Sequence, residues 1–112
     1  QMNGLQVTVS APDSLPTLPA AVEVAAYRII QEALTNVVRH AQARNCIVSL
    51  AIDKDLEIIV NDDGIGLALT RRVGVGLSSM RERAEEIGGT CVIESKEKGG
   101  TRVFARLPIS NL

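Results

Sequence analysis

The stretch NDDGIGL (residues 61–67) follows directly on the apolar run LEIIV (residues 56–60). Alternation in that run is typical of a strand with one face in the core, and Asp62 continues the parity of Ile58 and Val60. We therefore expect the Asp62 side chain to face the core. Because a buried carboxylate without donors costs several kcal/mol, the sequence predicts that Asp62 meets a group that donates a hydrogen bond.

Length and composition indicate one small domain with an aliphatic core. The chain has 112 residues, which we interpret as a single domain spanning 1–112. Hydrophobic residues make up 46% and aromatic residues only 2%, so Val, Ile, Leu and Ala must fill the core. The formal net charge of −1 gives no indication of a nucleic-acid surface.

The cysteines and the chain start point to a piece of a longer cytosolic protein. Cys46 and Cys91 are spaced like neither a zinc site nor a redox pair, and we expect both to be reduced core residues. No apolar run approaches the ~20 residues of a membrane span. No signal peptide is visible, and Gln1 in place of Met suggests a fragment.

Periodicity predicts five strands and two helices. The strongest signal is a long helix from about residue 19 to 40, followed by a second helix from about 77 to 87 with Leu77, Met80, Ala84 and Ile87 inward. Strands are predicted at 5–10, with Leu5, Val7 and Val9 on one face, and at 45–52, 56–62, 90–95 and 101–109. Residues 53–55 (DKD) predict a hairpin, and residues 64–73 a loop. Polar residues on the opposite strand faces indicate a sheet with one wet side, hence a two-layer α/β sandwich.

Two groups converge on one apolar wall and describe a pocket for a flat heterocycle. Thr101 shares the inward parity of Val103, so its hydroxyl lies on the same face as the Asp62 carboxylate. A heterocycle with an amino group, such as adenine, would donate to Asp62, with Thr101 supporting it directly or through water. The commonplace alternative for Asp62 is a turn residue at a strand end.

Polar residues also flank the long helix. Glu32 and Asn36 are four apart on one face, with Arg39 and His40 on the next turn. A solvated helix flank is the ordinary interpretation. A ligand site is the other, because the Asn36 amide oxygen suits Mg²⁺, and Arg39 or His40 could meet phosphate charge.

Two glycine pairs leave their roles open. Gly64 and Gly66 either set turn geometry or let the backbone approach a ligand. Gly74 and Gly76 precede the second helix, whose N-terminal N–H groups attract phosphate. The GVG sequence is not a dinucleotide fingerprint, and the chain contains no P-loop motif.

Four motifs together resemble the C-terminal ATP-binding domain of sensor histidine kinases over about residues 25–109. They are QEALTNVVRHA (31–41), DDGIG (62–66), GVGLSSMRERAEEIGG (74–89) and GGTRV (99–103). QEALTN, with Glu32 in place of the more usual Asn, and GLSSMRERA are similar to the nitrate-sensor and thermosensor subfamily. The resemblance implies a Bergerat-type ATP fold, shared with gyrase, Hsp90 and MutL ATPases, in which helices cover one face of a mixed, mainly antiparallel sheet.

The resemblance also implies roles for individual residues, with ATP and Mg²⁺ as cofactors. Asp62 would bind the adenine amino group, Asn36 would hold Mg²⁺, and Glu32 would position or deprotonate an attacking group near the γ-phosphate. An ATP lid would span about residues 65–75, short and without the phenylalanine motif of many other subfamilies. The implied nucleotide-binding set is Asn36, Arg39, His40, Asp62, Gly64, Gly66, Gly74, Gly76, Leu77 and Thr101.

The implied function is phosphoryl transfer. The domain would donate the ATP γ-phosphate to a histidine on a separate, upstream dimerisation domain, which would pass it to a response regulator. His40, the only histidine here, belongs to the ATP motif and is not that acceptor. We expect a cytoplasmic domain that contacts neither nucleic acid nor membrane and shows little or no turnover alone. The full-length protein could still be anchored in a membrane by another segment. The alternatives are an anti-sigma-type serine kinase and a degenerate interaction module on the same fold.

Overall fold

The structure is a computed structural model that describes residues 4–65, 74–96 and 99–109. Within these ranges a five-stranded sheet is covered by two helices. The elements, in chain order, are β1 (Gln6–Ser10), α1 (Ala20–Asn36), a π-helical turn (Val37–Ala41), β2 (Asn45–Ile52), β3 (Asp55–Asp62), α2 (Gly74–Glu85), β4 (Thr90–Ser95) and β5 (Thr101–Pro108).

The strand order is β1-β2-β3-β5-β4. β1 pairs with β2 in parallel, and the other neighbours are antiparallel. The chain turns between β2 and β3 at Asp53 and Lys54, as the predicted hairpin requires. The mixed, mainly antiparallel sheet predicted from the family resemblance is confirmed.

Both helices pack on one face of the sheet, which confirms the two-layer arrangement. α1 contacts β3 and β5, and α2 contacts β4 and β5. The core is aliphatic, as composition predicted. Its fully buried side chains are Ile29, Cys46, Leu56, Ile58, Val60, Met80 and Leu107. Cys46 and Cys91 are both buried and free, as predicted.

The opposite face of the sheet is exposed to solvent and carries charged side chains beside apolar ones such as Ile47 and Val92. Arg106 lies 3.4 Å from Glu57, and Arg102 lies 3.9 Å from Glu94. Both guanidinium groups lie over the Phe104 ring, that of Arg102 at 5.6 Å from its centroid and that of Arg106 at 5.4 Å. The prediction of one wet sheet face is therefore confirmed.

Three local predictions need correction. Val9, predicted on one face with Leu5 and Val7, is 64% exposed, because β1 lies at the edge of the sheet beside β2 while the helices pack against β3, β4 and β5. The predicted α-helix to residue 40 gives way to the π-helical turn after Asn36. α2 begins at Gly74 instead of Leu77, so Gly74 and Gly76 lie in its first turn and not ahead of it. Glycine has low helix propensity, which moved the predicted start too late.

Among the helices of the described ranges, none is long and apolar enough to cross a membrane.

Candidate nucleotide-binding site

Asp62 is the buried acidic residue at the end of β3. Only 4% of it is exposed, as the alternation predicted. Its Oδ1 accepts a hydrogen bond of 2.8 Å from the backbone N–H of Gly64. The backbone N–H of Thr101, on the neighbouring strand, acts on the same carboxylate and lowers its pKa. The partners that a buried carboxylate needs are therefore supplied by the main chain.

Burial dominates the electrostatics of this carboxylate. Loss of solvation raises the pKa of Asp62 above its ordinary value, and the neighbouring Asp63 adds to that rise. The N–H groups of Gly64 and Thr101, and the charge of Lys96, act in the opposite direction without cancelling it. The site therefore holds a carboxylate that is costly to keep charged, a condition more common at functional sites than elsewhere.

Apolar residues on the inner sheet face form the wall beside Asp62. Cys46 pairs with Asp62 across β2 and β3, and both are buried. One residue pair deeper, Val60 lies between Val48 and Val103. An acceptor at the edge of an aliphatic wall suits a flat, largely apolar ligand that carries a donor group.

Thr101 lies beside Asp62, as predicted, because Asn61 pairs with Arg102 on the adjacent strand. The interaction that the structure shows comes from the Thr101 main chain, whereas the prediction rested on its hydroxyl. Sequence patterns mark side chains and carry no signal for which N–H group will face a carboxylate.

Gly100 is a residue of this site that sequence reasoning gave no role. Its φ of +100° lies in the left-handed region, and a Cβ added there would overlap the carbonyl oxygen of Asp62. Only glycine therefore allows the β4–β5 turn to press against the end of β3. The doublet Gly99–Gly100 directly before a strand was the available signal.

The second predicted group lies at the C-terminal end of α1. Glu32 and Asn36 are partly buried there, and Arg39 is exposed on the π-helical turn. The Asn36 Nδ2 atom is buried and finds no hydrogen-bond partner among the residues that the structure describes. A buried amide with unmet hydrogen-bonding capacity fits a residue that completes its contacts with a ligand.

The C-terminal end of α1 could bind a magnesium ion only if a bound nucleotide supplied further oxygen ligands. Within the described part of the chain, no three His, Cys, Asp or Glu residues form a group that could hold a metal. Asn36 offers one hard oxygen ligand, which matches the way Mg²⁺ binds through few protein atoms, water and phosphate oxygens.

Several predicted residues cannot be placed fully. Gly66 and residues 67–73 of the predicted lid lie outside the described residues. His40 belongs to the π-helical turn, and Gly74, Gly76 and Leu77 to the first turn of α2, but the His40 and Leu77 side chains are likewise outside the description.

A separate surface groove of about 330 Å³ lies between the start of α1 and the end of α2. Val24, Arg83 and Ile87 contribute to its lining, which includes none of the predicted nucleotide-binding residues. We therefore place the candidate site at Asp62 and not in this groove.

Residues 21–111 match the sequence profile of the family described as histidine kinase-, DNA gyrase B-, and HSP90-like ATPase. The chain belongs to this ATPase family. The match covers both the helix that carries Asn36 and the strand end that carries Asp62.

Curated members of the ATPase family with similar sequences are sensor histidine kinases. YxjM of Bacillus subtilis is 35% identical over 111 residues, covering 97% of this chain and 27% of the relative. LiaS of the same organism is 41% identical over 91 residues, covering 79% and 25%. The oxygen sensor histidine kinase NreB of Staphylococcus carnosus is 34% identical, covering 96% and 32%. The chain thus spans about a quarter to a third of these relatives.

Solved structures with the same fold include an ATP-binding domain and a histidine kinase domain. The ATP-binding domain of PrrB from Mycobacterium tuberculosis is 28% identical with a TM-score of 0.65, covering 94% of this chain and 82% of that one. A histidine kinase domain from Erythrobacter litoralis has a TM-score of 0.77 at 20% identity, covering 96% and 52%, and shows the fold alone. The predicted family and fold are confirmed.

Proposed function

We propose that this domain binds Mg·ATP and, within the intact protein, donates the γ-phosphate to a histidine on a separate dimerisation domain. That histidine would then phosphorylate a response regulator. The observation that supports the proposal is the buried Asp62 carboxylate, held by the N–H groups of Gly64 and Thr101 at the edge of an aliphatic wall.

Asp62 would select the base. An ionised carboxylate only accepts hydrogen bonds, so it favours the exocyclic amino group of adenine and disfavours the O6 acceptor that guanine presents at the same ring position. One oxygen already accepts from Gly64, and the carboxylate retains capacity for a further donor. Thr101 would support the base with its hydroxyl or a water molecule.

The end of α1 would bind the phosphates. Asn36 would hold Mg²⁺, which when bound neutralises phosphate charge, and Arg39 and His40 would lie near the phosphates. Glu32 would orient or deprotonate the attacking group. N–H groups in the first turn of α2, at Gly74 and Gly76, are suited to an anion because they lack partners within the helix.

In this scheme the protein contributes positioning and charge complementarity, which carry most of the rate in phosphoryl transfer. The acceptor histidine of the intact protein would lie on another domain. The isolated domain should therefore bind nucleotide but hydrolyse or transfer little of its phosphate. The sensor histidine kinases among the relatives favour a histidine acceptor over the serine acceptor of an anti-sigma-type kinase. A degenerate module without ATP is disfavoured by the buried Asp62 and by the Asn36 Nδ2 atom, which is buried without a partner within the described ranges.

The test is calorimetry with a non-hydrolysable ATP analogue and Mg²⁺ on the wild type and Asp62→Asn. We expect measurable binding by the wild type and a loss of about tenfold or more in the variant, the worth of one charged hydrogen bond. The matched control is Asp53→Asn, because Asp53 is exposed at the opposite end of the same hairpin. No heat from the wild type at millimolar ligand, or equal affinity in Asp62→Asn, would contradict the proposal.

A further inference from the structure

Asp63 follows the candidate base-binding residue and is turned the other way. Its Oδ1 accepts hydrogen bonds of 2.9 Å from the backbone N–H groups of Arg44 and Asn45. Its Oδ2 accepts a bond of 3.0 Å from the Asn45 side-chain amide. The Asp63 N–H in turn donates to the Asn45 carbonyl oxygen at 3.2 Å. Four hydrogen bonds therefore tie the end of β3 to the start of β2.

The tied segment is the point where the chain leaves the long helix. Only residues 42–44 separate the π-helical turn from β2. Gln42 adopts a left-handed conformation with φ of 54°, so the direction of the chain changes sharply there. The Arg44 carbonyl oxygen accepts from the Gln6 N–H at 2.8 Å, which fixes the same segment to β1.

Residues 42–44 couple the position of the strand end to the position of the C-terminal end of α1. Arg39 lies five residues before Arg44, on the π-helical turn, and Asn36 ends α1 directly before that turn. A three-residue connection has little freedom to absorb a shift of its end, so movement at Arg44 must also move the turn. Asp63 thus restrains the C-terminal end of α1 from the strand that carries Asp62.

We propose that Asp63 is a positioning residue that sets the spacing between the base contact at Asp62 and the phosphate-binding groups at Asn36 and Arg39. This inference rests on the proposed function. A ligand that spans both groups needs them held at one separation, and a carboxylate adjacent in sequence to the base-binding carboxylate supplies that restraint through main-chain bonds.

The competing explanation is that Asp63 only stabilises a strand end. The two explanations differ in their dependence on the ligand. If Asp63 sets a spacing, its loss weakens a ligand that reaches both ends of the site and spares a ligand that occupies the base end alone. If it only stabilises the fold, both ligands are affected equally.

The experiment compares adenosine with the Mg²⁺ complex of a non-hydrolysable ATP analogue, by calorimetry at a temperature where circular dichroism shows each variant folded. For Asp63→Ala we expect the ATP analogue to bind about tenfold more weakly and adenosine within about twofold of wild type. Asp63→Asn should be intermediate, because it retains one acceptor oxygen but loses the charge and the acceptor for the Asn45 amide. Asp53→Ala, at the other end of the hairpin, should change neither affinity.

A second measurement, amide hydrogen exchange without ligand, tests the positioning role on its own. Asp63→Ala should accelerate exchange in residues 37–45 and leave the N–H groups of β5 unchanged. Equal weakening of adenosine and the ATP analogue, or unchanged exchange in residues 37–45, would overturn the inference. If the wild type binds neither ligand, the proposed function is overturned. If Asp63→Ala nevertheless accelerates exchange in residues 37–45, the restraint of the helix end by Asp63 still holds.

Discussion

Gly100 lies directly against the main chain of Asp62. A Cβ at position 100 would overlap the Asp62 carbonyl oxygen, and the backbone there has φ of +100°. The turn between β4 and β5 therefore packs against the strand end that carries the buried carboxylate. Because a side chain at position 100 would displace the Asp62 main chain, the glycine there helps to fix the position of the carboxylate.

We predict that Gly100→Ala is much more destabilising than Gly99→Ala. Gly99 has the same φ of +100°, but a Cβ there would lie 3.4 Å from the Gly64 carbonyl oxygen, close to an ordinary contact. Both variants carry the conformational cost of a left-handed alanine, and only Gly100→Ala adds the overlap. We expect the difference in free energy of unfolding to be about 2 kcal/mol, measured by urea denaturation. Equal losses would show that the turn relaxes freely away from β3.

We predict that ATP binding weakens toward acidic pH and that Lys96 sets where this occurs. In the proposed mode of binding the Asp62 carboxylate must be ionised to accept from the base, and burial raises its pKa, so affinity should fall as pH drops through that raised value. The charge of Lys96 acts against the rise. Lys96→Met should therefore shift the loss of affinity to higher pH, and Lys96→Arg should resemble wild type.

The measurement is the affinity for a non-hydrolysable ATP analogue across a pH series for the three proteins. The geometry supports the choice of Lys96, since its Cε would lie 2.9 Å from a Cβ on Gly100 and so folds over the same turn. Superimposable profiles for wild type and Lys96→Met would refute an influence of Lys96 on Asp62.

The adjacent aspartates should have opposite effects on stability as pH changes. Hydrogen bonds from Asn45 and Arg44 lower the pKa of Asp63 to about 2. Its contribution to stability is therefore present above the ordinary value of 3.8 and is lost as pH falls through about 2. Asp63→Asn should be less stable than wild type at neutral pH, with the difference shrinking in acid.

The contribution of Asp62 to stability changes with pH in the opposite direction, because burial raises its pKa above 3.8. The folded state then binds the proton more tightly than the unfolded state, so this residue favours folding more as pH falls through the raised value. Asp62→Asn should match or exceed wild-type stability at neutral pH and lose any advantage in acid. Denaturant unfolding at neutral and acidic pH checks both variants, and parallel profiles would contradict the assignment.

Both cysteine thiols should be unreactive in the folded protein. Burial raises the pKa of Cys46 and of Cys91 to about 11, and Asp62 and Asp63 add to the rise at Cys46. Because the thiolate is the reactive form, labelling by a thiol reagent at mildly alkaline pH should require unfolding and should follow the urea transition. Prompt labelling of native protein at either position would contradict the buried placement.

Side-chain periodicity predicted most of the fold. Strict alternation placed Asp62 in the core, and the apolar period of residues 19–40 predicted the long helix, whose Ile29 and Ala33 are buried, because burial acts on side chains that the sequence displays. The features that escaped prediction arise from the main chain or from position in the sheet. They include the N–H groups that hold Asp62, the π-helical turn after Asn36 and the exposure of Val9 at an edge strand.

The site was predicted in part for the same reason. Asp62 and Thr101 share a parity, so their meeting could be derived, whereas Gly100 acts by having no side chain at all. Asp63 received no role from the sequence, and its bonds to Arg44 and Asn45 depend on the pairing of β2 with β3, which brings together residues 19 and 18 positions apart in the sequence. The general rule that Asp favours turns could not indicate that distant partner.

The placement of the two aromatic residues has an optical consequence. The chain has one Tyr, one Phe and no Trp; Tyr27 is 64% exposed, and Phe104 lies on the charged sheet face, away from the candidate site. Intrinsic fluorescence is therefore weak and insensitive to events beside Asp62. The emission of a fluorescent nucleotide would therefore be measured with little background from the protein. A single tryptophan introduced beside the aliphatic wall would be the main source of protein emission and would be sensitive to changes at that wall.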